Sequence, residues 1–264
     1  DGRSGGWVAM TPRILIVAGS DSGGGAGIQA DIRTVTMLGG HPMTAITAIT
    51  AQNTLGVSGV HPIPPEMVAQ QMQVCIDDIG VDAVKIGMIG SAATAHAIAD
   101  VIETLRNVPI VFDPVMIASS GAVLADDDTT AAFGRLMRLA TLVTPNCPEL
   151  VALGGEQAVL ATGATLLAKG GHAEGDIITD RLIGPDGEIA RWSGTRIETR
   201  HTHGTGCTLA SAIAEGLGRG LALPPAVERA RLFVREALTR APGLGAGHGP
   251  MGHHLVRLKN WPSV

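Results

Sequence analysis

The chain has 264 residues, of which 45% are hydrophobic and 16% charged, and its formal net charge is −5. This length and apolar fraction predict one large α/β domain with a sizeable core, and the negative charge without a lysine or arginine run argues against nucleic acid or an anionic membrane as a partner. Three cysteines do not make a disulfide framework, and no apolar run is long enough to cross a bilayer, so we expect a cytoplasmic protein.

Apolar runs bounded by turn residues alternate with longer segments of helical period, which is the pattern of a parallel sheet covered by helices. Residues 1–9 lack the pattern of a secretory signal and are expected to be a cloning remnant, followed by a single domain over residues 10–264. The predicted strands span 13–18, 43–50, 83–86, 110–113, 141–143 and 165–169. The predicted helices span 26–38, 64–79, 91–106, 127–138, a short stretch from 145, 207–218 and 225–240. Residues 176–198 change to paired strands around a turn at Pro185-Asp186-Gly187, and 242–250 is expected to be a loop.

The glycine-rich segment at residues 20–27 directly follows the first predicted strand and opens the first predicted helix. Residues 25–30 formally fit a dinucleotide-binding fingerprint, which also needs an acidic residue about twenty positions further on to hold a ribose hydroxyl. The chain has no acidic residue between Asp31 and Glu66 and no Gly-Lys-Ser/Thr, so the dinucleotide fingerprint and a Walker phosphate loop are both excluded. A loop that wraps a small polar ligand and an ordinary structural turn remain open.

Three side chains near this segment are candidate ligand contacts. Gln52 ends an otherwise apolar strand, where polar amides face a ligand crevice and pair with the edge of a heteroaromatic ring. Asp31 lies one helical turn past Gly27, where it either faces the ligand or is a solvated helix charge. Met88 is either an apolar wall of the pocket or part of the core.

Two carboxylates and a lysine follow the ends of predicted strands. Asp113 ends one strand and Glu149 lies just beyond its neighbour, and oxygen donors at such positions suit Mg²⁺ with phosphate oxygens. Their structural alternatives are a cap or turn residue for Asp113 and a charge in the first helical turn for Glu149. Lys169 ends a third strand, where it either contacts a nucleotide phosphate or is a surface residue.

Residues 201–207 form a glycine-rich turn that runs into an alanine-rich helix. Backbone N–H groups at a helix start lack intrahelical partners, and Gly204 and Gly206 leave room for an anion to approach them. Because the same position lowers the pKa of a thiol, Cys207 is expected to act as a base beside this anion cradle. A tight turn followed by a small buried cysteine is the alternative.

Seven stretches carry a resemblance, and they occur in the order 18–31, 50–54, 85–88, 113–116, 144–149, 169–172 and 201–207. In this order they resemble the hydroxymethylpyrimidine/phosphomethylpyrimidine kinases of the ribokinase-like superfamily. The resemblance implies an α/β fold, a ribokinase-like three-layer α-β-α sandwich with a central, mostly parallel sheet, and a homodimer. It also implies that ATP, with Mg²⁺, phosphorylates 4-amino-5-hydroxymethyl-2-methylpyrimidine and then its monophosphate.

The resemblance also implies roles for individual residues. The predicted pyrimidine contacts are Gly19, Asp31, Gln52, Met88 and Val115. The predicted nucleotide contacts are Asn146, Glu149 and Lys169, and the predicted metal ligands are Asp113 and Glu149. The predicted anion hole comprises Gly204, Thr205 and Gly206, with Cys207 as the catalytic base.

Three other functions compete with this one. A pyridoxal kinase performs the same chemistry on another heteroaromatic alcohol, and Gln52 does not decide between them. A sugar kinase is disfavoured because the ribokinase-like sugar kinases typically carry aspartate where this chain has Cys207, and a non-catalytic vitamin-binding protein is disfavoured by the intact Lys169 and Glu149. The segment 153–165 is shorter than is usual in the family, so no helix of normal length is expected there.

Overall fold

The computed structural model describes residues 11–117, 121, 124–171 and 175–257, and the remnant expected at residues 1–9 lies outside this part of the chain, as does position 172 of the matched stretch 169–172. The strands are β1 (Arg13–Asp21), β2 (His41–Gln52), β3 (Val57–Pro62), β4 (Ala83–Ile86), β5 (Ile110–Phe112), β6 (Leu142–Val143), β7 (Thr165–Ala168), β8 (Ile177–Gly184) and β9 (Gly187–Thr195). The helices are α1 (Gly27–Met37), α2 (Pro65–Asp78), α3 (Ala92–Ile102), α4 (Asp127–Leu139), α5 (Cys147–Ala152), α6 (Glu156–Leu160), α7 (Thr205–Gly218) and α8 (Leu223–Thr239), with a 3₁₀ turn at His253–Leu255.

The strands form one sheet in the order β3-β2-β1-β4-β5-β6-β7-β8-β9. Neighbours from β2 through β7 are parallel, whereas β3 at one edge and β8 and β9 at the other are antiparallel. The chain passes from β1 to β2 on one side and then returns to β4 on the other side of β1, so the winding direction reverses between β1 and β4. Ligands of open α/β sheets bind beyond the carboxyl ends of the strands at such a reversal.

Helices cover both faces of the sheet and divide the core in two. On one face α2, α3 and α4 pack around Phe112 and Phe133, whose rings meet edge to face with their centroids 5.1 Å apart. On the other face α1 and α8 pack against the small residues of α7, such as Ala210 and Ala214. This arrangement confirms the predicted three-layer sandwich. In the described ranges no helix combines the length and the apolarity that crossing a bilayer needs.

The edge beside β2 contains a strand that the sequence did not predict. β3 is exposed along almost its whole length and therefore lacks the alternation that marks a half-buried strand. It covers only the last part of β2, and the side-chain amide of Gln71 bonds both backbone groups of Ile46, at 3.0 Å from its N and 3.2 Å from its O. A side chain on α2 thus satisfies backbone groups of β2 that β3 does not reach.

The segments 176–198 and 153–165 form the elements that the sequence predicted. The paired strands predicted within 176–198 are β8 and β9, joined by a hairpin whose loop is Pro185-Asp186. The segment 153–165 holds only the five-residue helix α6, as its short length predicted.

Candidate active site

A cavity of about 690 Å³ lies beyond the carboxyl ends of the parallel strands. It collects every predicted site residue except Asp31. These residues are Gly19, Gln52, Met88, Asp113, Val115, Asn146, Glu149, Lys169, Gly204, Thr205, Gly206 and Cys207. Residues far apart in sequence therefore meet because parallel strands deliver their carboxyl ends to one edge of the sheet.

Asp31 does not reach the cavity wall. It is completely buried on α1, where its two carboxylate oxygens accept hydrogen bonds from Lys85 Nζ and Ser211 Oγ, both at 2.7 Å. Burial opposes the charged form of Lys85, but the charge of Asp31 outweighs it and raises the pKa of the ammonium. This corrects the predicted contact of Asp31 with the pyrimidine: α1 directs this carboxylate into the protein, where it pairs with a buried cation.

The loop before α7 brings backbone N–H groups to the cavity. Gly204 has φ +85°, and a Cβ there would lie 2.0 Å from the carbonyl oxygen of Gly25, so only glycine fits. A Cβ on Gly206 would lie 3.3 Å from Asp113 Oδ2 and 3.4 Å from Lys169 Nζ. The start of α7, a helix of 14 residues, therefore lies directly against the carboxylate and the cation.

The glycine-rich loop after β1 is organised by Asp21, a residue to which the sequence assigned no role. Its carboxylate accepts backbone N–H groups from Gly23, Gly25 and Ala26 at 2.8–2.9 Å, and His203 Nε2 at 2.9 Å. Burial raises the pKa of Asp21, but the hydrogen bonds from His203 and the backbone outweigh it and lower the pKa. Asp21 thereby joins this loop to the loop that begins α7. Segments 20–27 and 201–207 were both singled out from the sequence, but nothing in the sequence showed that they lie together.

Asp113, Glu149 and Lys169 form a charged cluster in the lining of the cavity. Asp113 Oδ1 accepts hydrogen bonds from Thr144 Oγ1 and Lys169 Nζ, both at 2.8 Å. Burial, supported by the nearby charge of Asp113, raises the pKa of Glu149 to about 7, although Lys169 opposes the shift. Burial favours the neutral form of Lys169, but Asp113 and Glu149 outweigh it and raise the pKa of the lysine.

Asn146 and Glu149 also cap α5. Asn146 Oδ1 accepts the backbone N–H of Glu149 at 2.9 Å, and Glu149 Oε2 accepts the backbone N–H of Asn146 at 2.8 Å. This reciprocal pair is a capping box. Glu149 is therefore a charge in the first turn of α5, as the structural alternative stated. The same carboxylate also lines the cavity.

Cys207 lies in the first turn of α7 and faces the cavity. Burial, with the charges of Asp31 and Asp113, raises the pKa of its thiol to about 11, although Lys85 and a backbone N–H of Gly27 act in the opposite direction. This corrects the expectation that the helix start lowers the thiol pKa. Burial is the largest cause, and two carboxylates from other elements, which the local sequence does not reveal, add to it.

The far end of the cavity is formed by residues that sequence reasoning missed. Apolar side chains of Ile178, Ile197, Val234 and Leu238 line it. Beside them Arg231 Nε lies 2.7 Å from Asp180 Oδ2, and Asp180 Oδ1 accepts the N–H of Gly170 at 2.9 Å. These residues come from β8, α8 and the loop between β9 and α7, and no local motif marks them.

In the described part of the chain, no group of three or more His, Cys, Asp and Glu side chains is arranged to hold a metal ion. Mg²⁺ needs only one or two protein carboxylates together with substrate phosphates. Asp113 and Glu149 fit that requirement, because they are buried close enough for the charge of one to raise the pKa of the other.

Comparison with known proteins identifies relatives over almost the whole chain. A family model described as phosphomethylpyrimidine kinase matches residues 21–252. A hydroxymethylpyrimidine/phosphomethylpyrimidine kinase of Streptomyces coelicolor is 45% identical over 257 residues, which cover 92% of this chain and 94% of the relative. The chain spans only 35% and 52% of the length of two multifunctional thiamine-biosynthesis relatives.

Solved structures give the same kind of match. A Bacillus subtilis pyridoxal kinase, solved as an ADP complex, superposes with a TM-score of 0.85 at 30% identity, covering 95% of this chain and all of that one. A phosphomethylpyrimidine kinase from Clostridium difficile superposes with a TM-score of 0.74 at 34% identity, covering 86% of this chain and 99% of that one.

Proposed function

Because the chain belongs to the phosphomethylpyrimidine kinase family, we propose that it transfers phosphoryl groups from ATP to 4-amino-5-hydroxymethyl-2-methylpyrimidine and then to the monophosphate, in thiamine biosynthesis. One observation carries the proposal. Gln52 ends β2, Met88 follows β4 and Lys169 follows β7, so the cavity that they line extends across the sheet. The segment that begins α7 reaches both parts, because His203 Nε2 lies 3.2 Å from Gln52 Nε2 and a Cβ on Gly206 would lie 3.4 Å from Lys169 Nζ. An aromatic alcohol at one end and a nucleotide at the other would meet at α7.

The nucleotide occupies the end that contains Lys169. Its base packs among the apolar side chains around Val234, and its phosphates meet Lys169 Nζ and the N–H groups of Gly204 to Gly206. Asp113 and Glu149 would hold Mg²⁺, which would supply neutralisation of the phosphate charge. Phosphoryl transfer depends chiefly on such positioning and charge stabilisation, since little other chemistry is left for the protein to perform.

Cys207, as its thiolate, accepts the proton of the substrate alcohol and becomes the neutral thiol. With a thiol pKa of about 11, only about one molecule in ten thousand carries the thiolate at pH 7 before ligands bind. Catalysis of phosphoryl transfer is almost entirely positioning and charge stabilisation, so the main contribution of this acceptor is its place beside the alcohol. We expect Cys207→Ala to lose most of kcat while the affinity for ATP is retained. Near-normal turnover of this variant would show that Cys207 is not the proton acceptor.

The alternative alcohol is pyridoxal, which the higher TM-score of the Bacillus subtilis pyridoxal kinase favours. Measurement of kcat/KM for both alcohols with ATP and Mg²⁺ decides between them. We expect the aminopyrimidine to be the better substrate. A higher kcat/KM for pyridoxal would assign the chain to the other vitamin, and ATP-independent binding of either alcohol without turnover would indicate a vitamin-binding protein.

From the family resemblance we also propose a homodimer that acts in the cytoplasm. Light scattering coupled to size-exclusion chromatography tests the oligomeric state: a dimer has twice the chain mass of 27.0 kDa, and a monomer under assay conditions would contradict the proposal.

A further inference from the structure

The side-chain amide of Gln52 lies between two groups that restrict its orientation. Its Nε2 is 3.2 Å from His203 Nε2, and its Oε1 is 3.1 Å from Thr50 Oγ1. Its backbone is fixed as well, because Ser22 Oγ accepts the N–H of Gln52 at 2.8 Å and donates to its carbonyl at 2.7 Å. Rotating an amide by half a turn exchanges its nitrogen and oxygen without moving other atoms, so the hydrogen-bond network decides which orientation is stable.

His203 determines one side of this choice. Its Nε2 lies 2.9 Å from Asp21 Oδ2. Asp21 also accepts three backbone N–H groups, which favours the ionised carboxylate, and an ionised carboxylate can only accept. Nε2 of His203 must therefore carry a hydrogen. An amide N–H pointing at this N–H would find no acceptor, whereas an amide oxygen there can share the hydrogen with Asp21 in a bifurcated hydrogen bond.

Thr50 determines the other side independently. A hydroxyl has one hydrogen, and Thr50 Oγ1 lies 2.8 Å from the carbonyl oxygen of Ser20, which can only accept. The hydrogen of Thr50 is thus used on Ser20, and its oxygen is left to accept. Thr50 is 4% exposed, so water does not easily replace a missing partner. An amide N–H beside Thr50 satisfies this oxygen, and an amide oxygen there does not.

We infer that the nitrogen and oxygen of the Gln52 amide are exchanged relative to the contacts given above. His203 and Thr50 hold the amide with Oε1 toward His203 and Nε2 toward Thr50, so that both are positioning residues for recognition of the substrate ring. This inference rests on the proposed function, in which Gln52 contacts the ring. With one N–H bonded to Thr50, the amide presents one remaining N–H and a lone pair on Oε1 in a fixed order.

A fixed donor and acceptor select the chemical class of the ring. An aminopyrimidine carries a ring nitrogen next to an exocyclic amino group, which is an acceptor beside a donor, and it pairs with such an amide through two hydrogen bonds. Pyridoxal has no exocyclic amino group beside its ring nitrogen. A freely rotating amide would lose this discrimination, because half of its orientations present the two groups in the wrong order.

The kinetic test compares the single variants Thr50→Val, Thr50→Ser and Gln52→Ala with the double variant Thr50→Val/Gln52→Ala. Thr50→Val removes the hydroxyl with little change of shape. We expect it to raise the KM for the aminopyrimidine about 5- to 10-fold, the typical effect of one hydrogen bond, with the KM for ATP unchanged. Thr50→Ser restores the wild-type KM. In the Gln52→Ala background Thr50→Val adds no further increase, because the group it positions is gone.

Thr34→Val is the matched control. Thr34 is also a buried threonine whose hydroxyl donates to a backbone carbonyl, that of Ala30 at 2.7 Å, and it does not contact Gln52. We expect no change in the KM for the aminopyrimidine. The inference would be overturned if Thr50→Val raised the KM for the aminopyrimidine equally in the wild-type and Gln52→Ala backgrounds. It would also be overturned if Thr50→Ser raised this KM as much as Thr50→Val does.

A second measurement needs neither a variant nor turnover. Long-range ¹H–¹⁵N correlation spectra of the wild-type protein report whether His203 Nε2 carries a hydrogen. We expect the chemical shift of a protonated imidazole nitrogen, and an unprotonated Nε2 would overturn the assigned orientation. If the proposed function fails, the aminopyrimidine is not phosphorylated at all, whereas the spectrum still decides the orientation of the amide.

Discussion

Burial and two carboxylates raise the pKa of the Cys207 thiol. The start of α7 favours the thiolate, as the sequence indicates, but Asp31 and Asp113 arrive from α1 and from the end of β5. Together with burial they raise the thiol pKa to about 11. Local sequence predicts the helix and its cysteine, and it cannot predict charges that the fold brings from 94 or 176 positions away.

The raised pKa predicts how Cys207 reacts with an alkylating reagent. Because the thiolate is the reactive form, the rate for ligand-free protein should keep rising with pH through pH 9 and above, whereas an unperturbed thiol with a pKa of about 8.5 levels off there. Iodoacetamide labelling between pH 7 and 10.5, followed for each cysteine by peptide mass spectrometry, measures the profile. A midpoint below pH 8 for Cys207 would contradict the account.

The buried pair of Lys85 and Asp31 should also be visible in stability. Lys85→Met leaves the Asp31 carboxylate buried with Ser211 as its remaining side-chain partner, which should lower the free energy of unfolding by about 3–5 kcal/mol. The double variant Lys85→Met/Asp31→Asn removes the stranded charge and should recover part of that loss. Urea unfolding at pH 7 measures the free energy of unfolding of both variants. A Lys85→Met variant as stable as wild type would show that the pair of Lys85 and Asp31 does not stabilise the fold.

Among the elements, the junction between the glycine-rich loop and α7 depends on Gly204. Alanine there requires a left-handed backbone and a Cβ 2.0 Å from the carbonyl oxygen of Gly25, so the two loops must separate. We expect Gly204→Ala to reduce kcat at least 100-fold, since the N–H groups of α7 would no longer meet the phosphates.

Gly220 provides the control for that variant. It also has a left-handed φ, +92°, but nothing lies within 4 Å of a Cβ placed on it. Gly220→Ala should therefore cost only about 1 kcal/mol of stability and leave kcat close to wild type. Equal losses of kcat in the two variants, measured in the same ATP-coupled assay, would show that the backbone conformation matters and the contact with Gly25 does not.

The elements differ in how well the sequence predicts them. The buried strand β1 contains a continuous apolar run, and α2 begins with prolines, so both were predicted with starts close to the observed ones. β3 was missed because both of its faces are exposed, which leaves no periodic signal. The orientation of Asp31 was missed for a related reason: spacing places it on α1, but only the packing of α1 against α7 decides that it faces inward.

Across the whole molecule, the sequence predicts the parts of the site near Gln52 and Lys169 better than the apolar end near Val234. The motifs that end in Gln52 and Lys169 are local, so their positions at strand ends could be read from the chain. The apolar end near Val234 is formed by residues of β8, α8 and the loop after β9. These segments lie together because β8 extends the parallel sheet by pairing antiparallel to β7. Residues that share no segment leave no common motif.

The most direct test of the whole account follows phosphorus in the reaction. ³¹P NMR of the protein with ATP, Mg²⁺ and 4-amino-5-hydroxymethyl-2-methylpyrimidine should show a phosphate monoester appearing first and a diphosphate after it, each matched by one ADP. ATP hydrolysis to inorganic phosphate without either ester, or no consumption of ATP, would contradict the claim that this cavity joins the alcohol and the nucleotide at the start of α7.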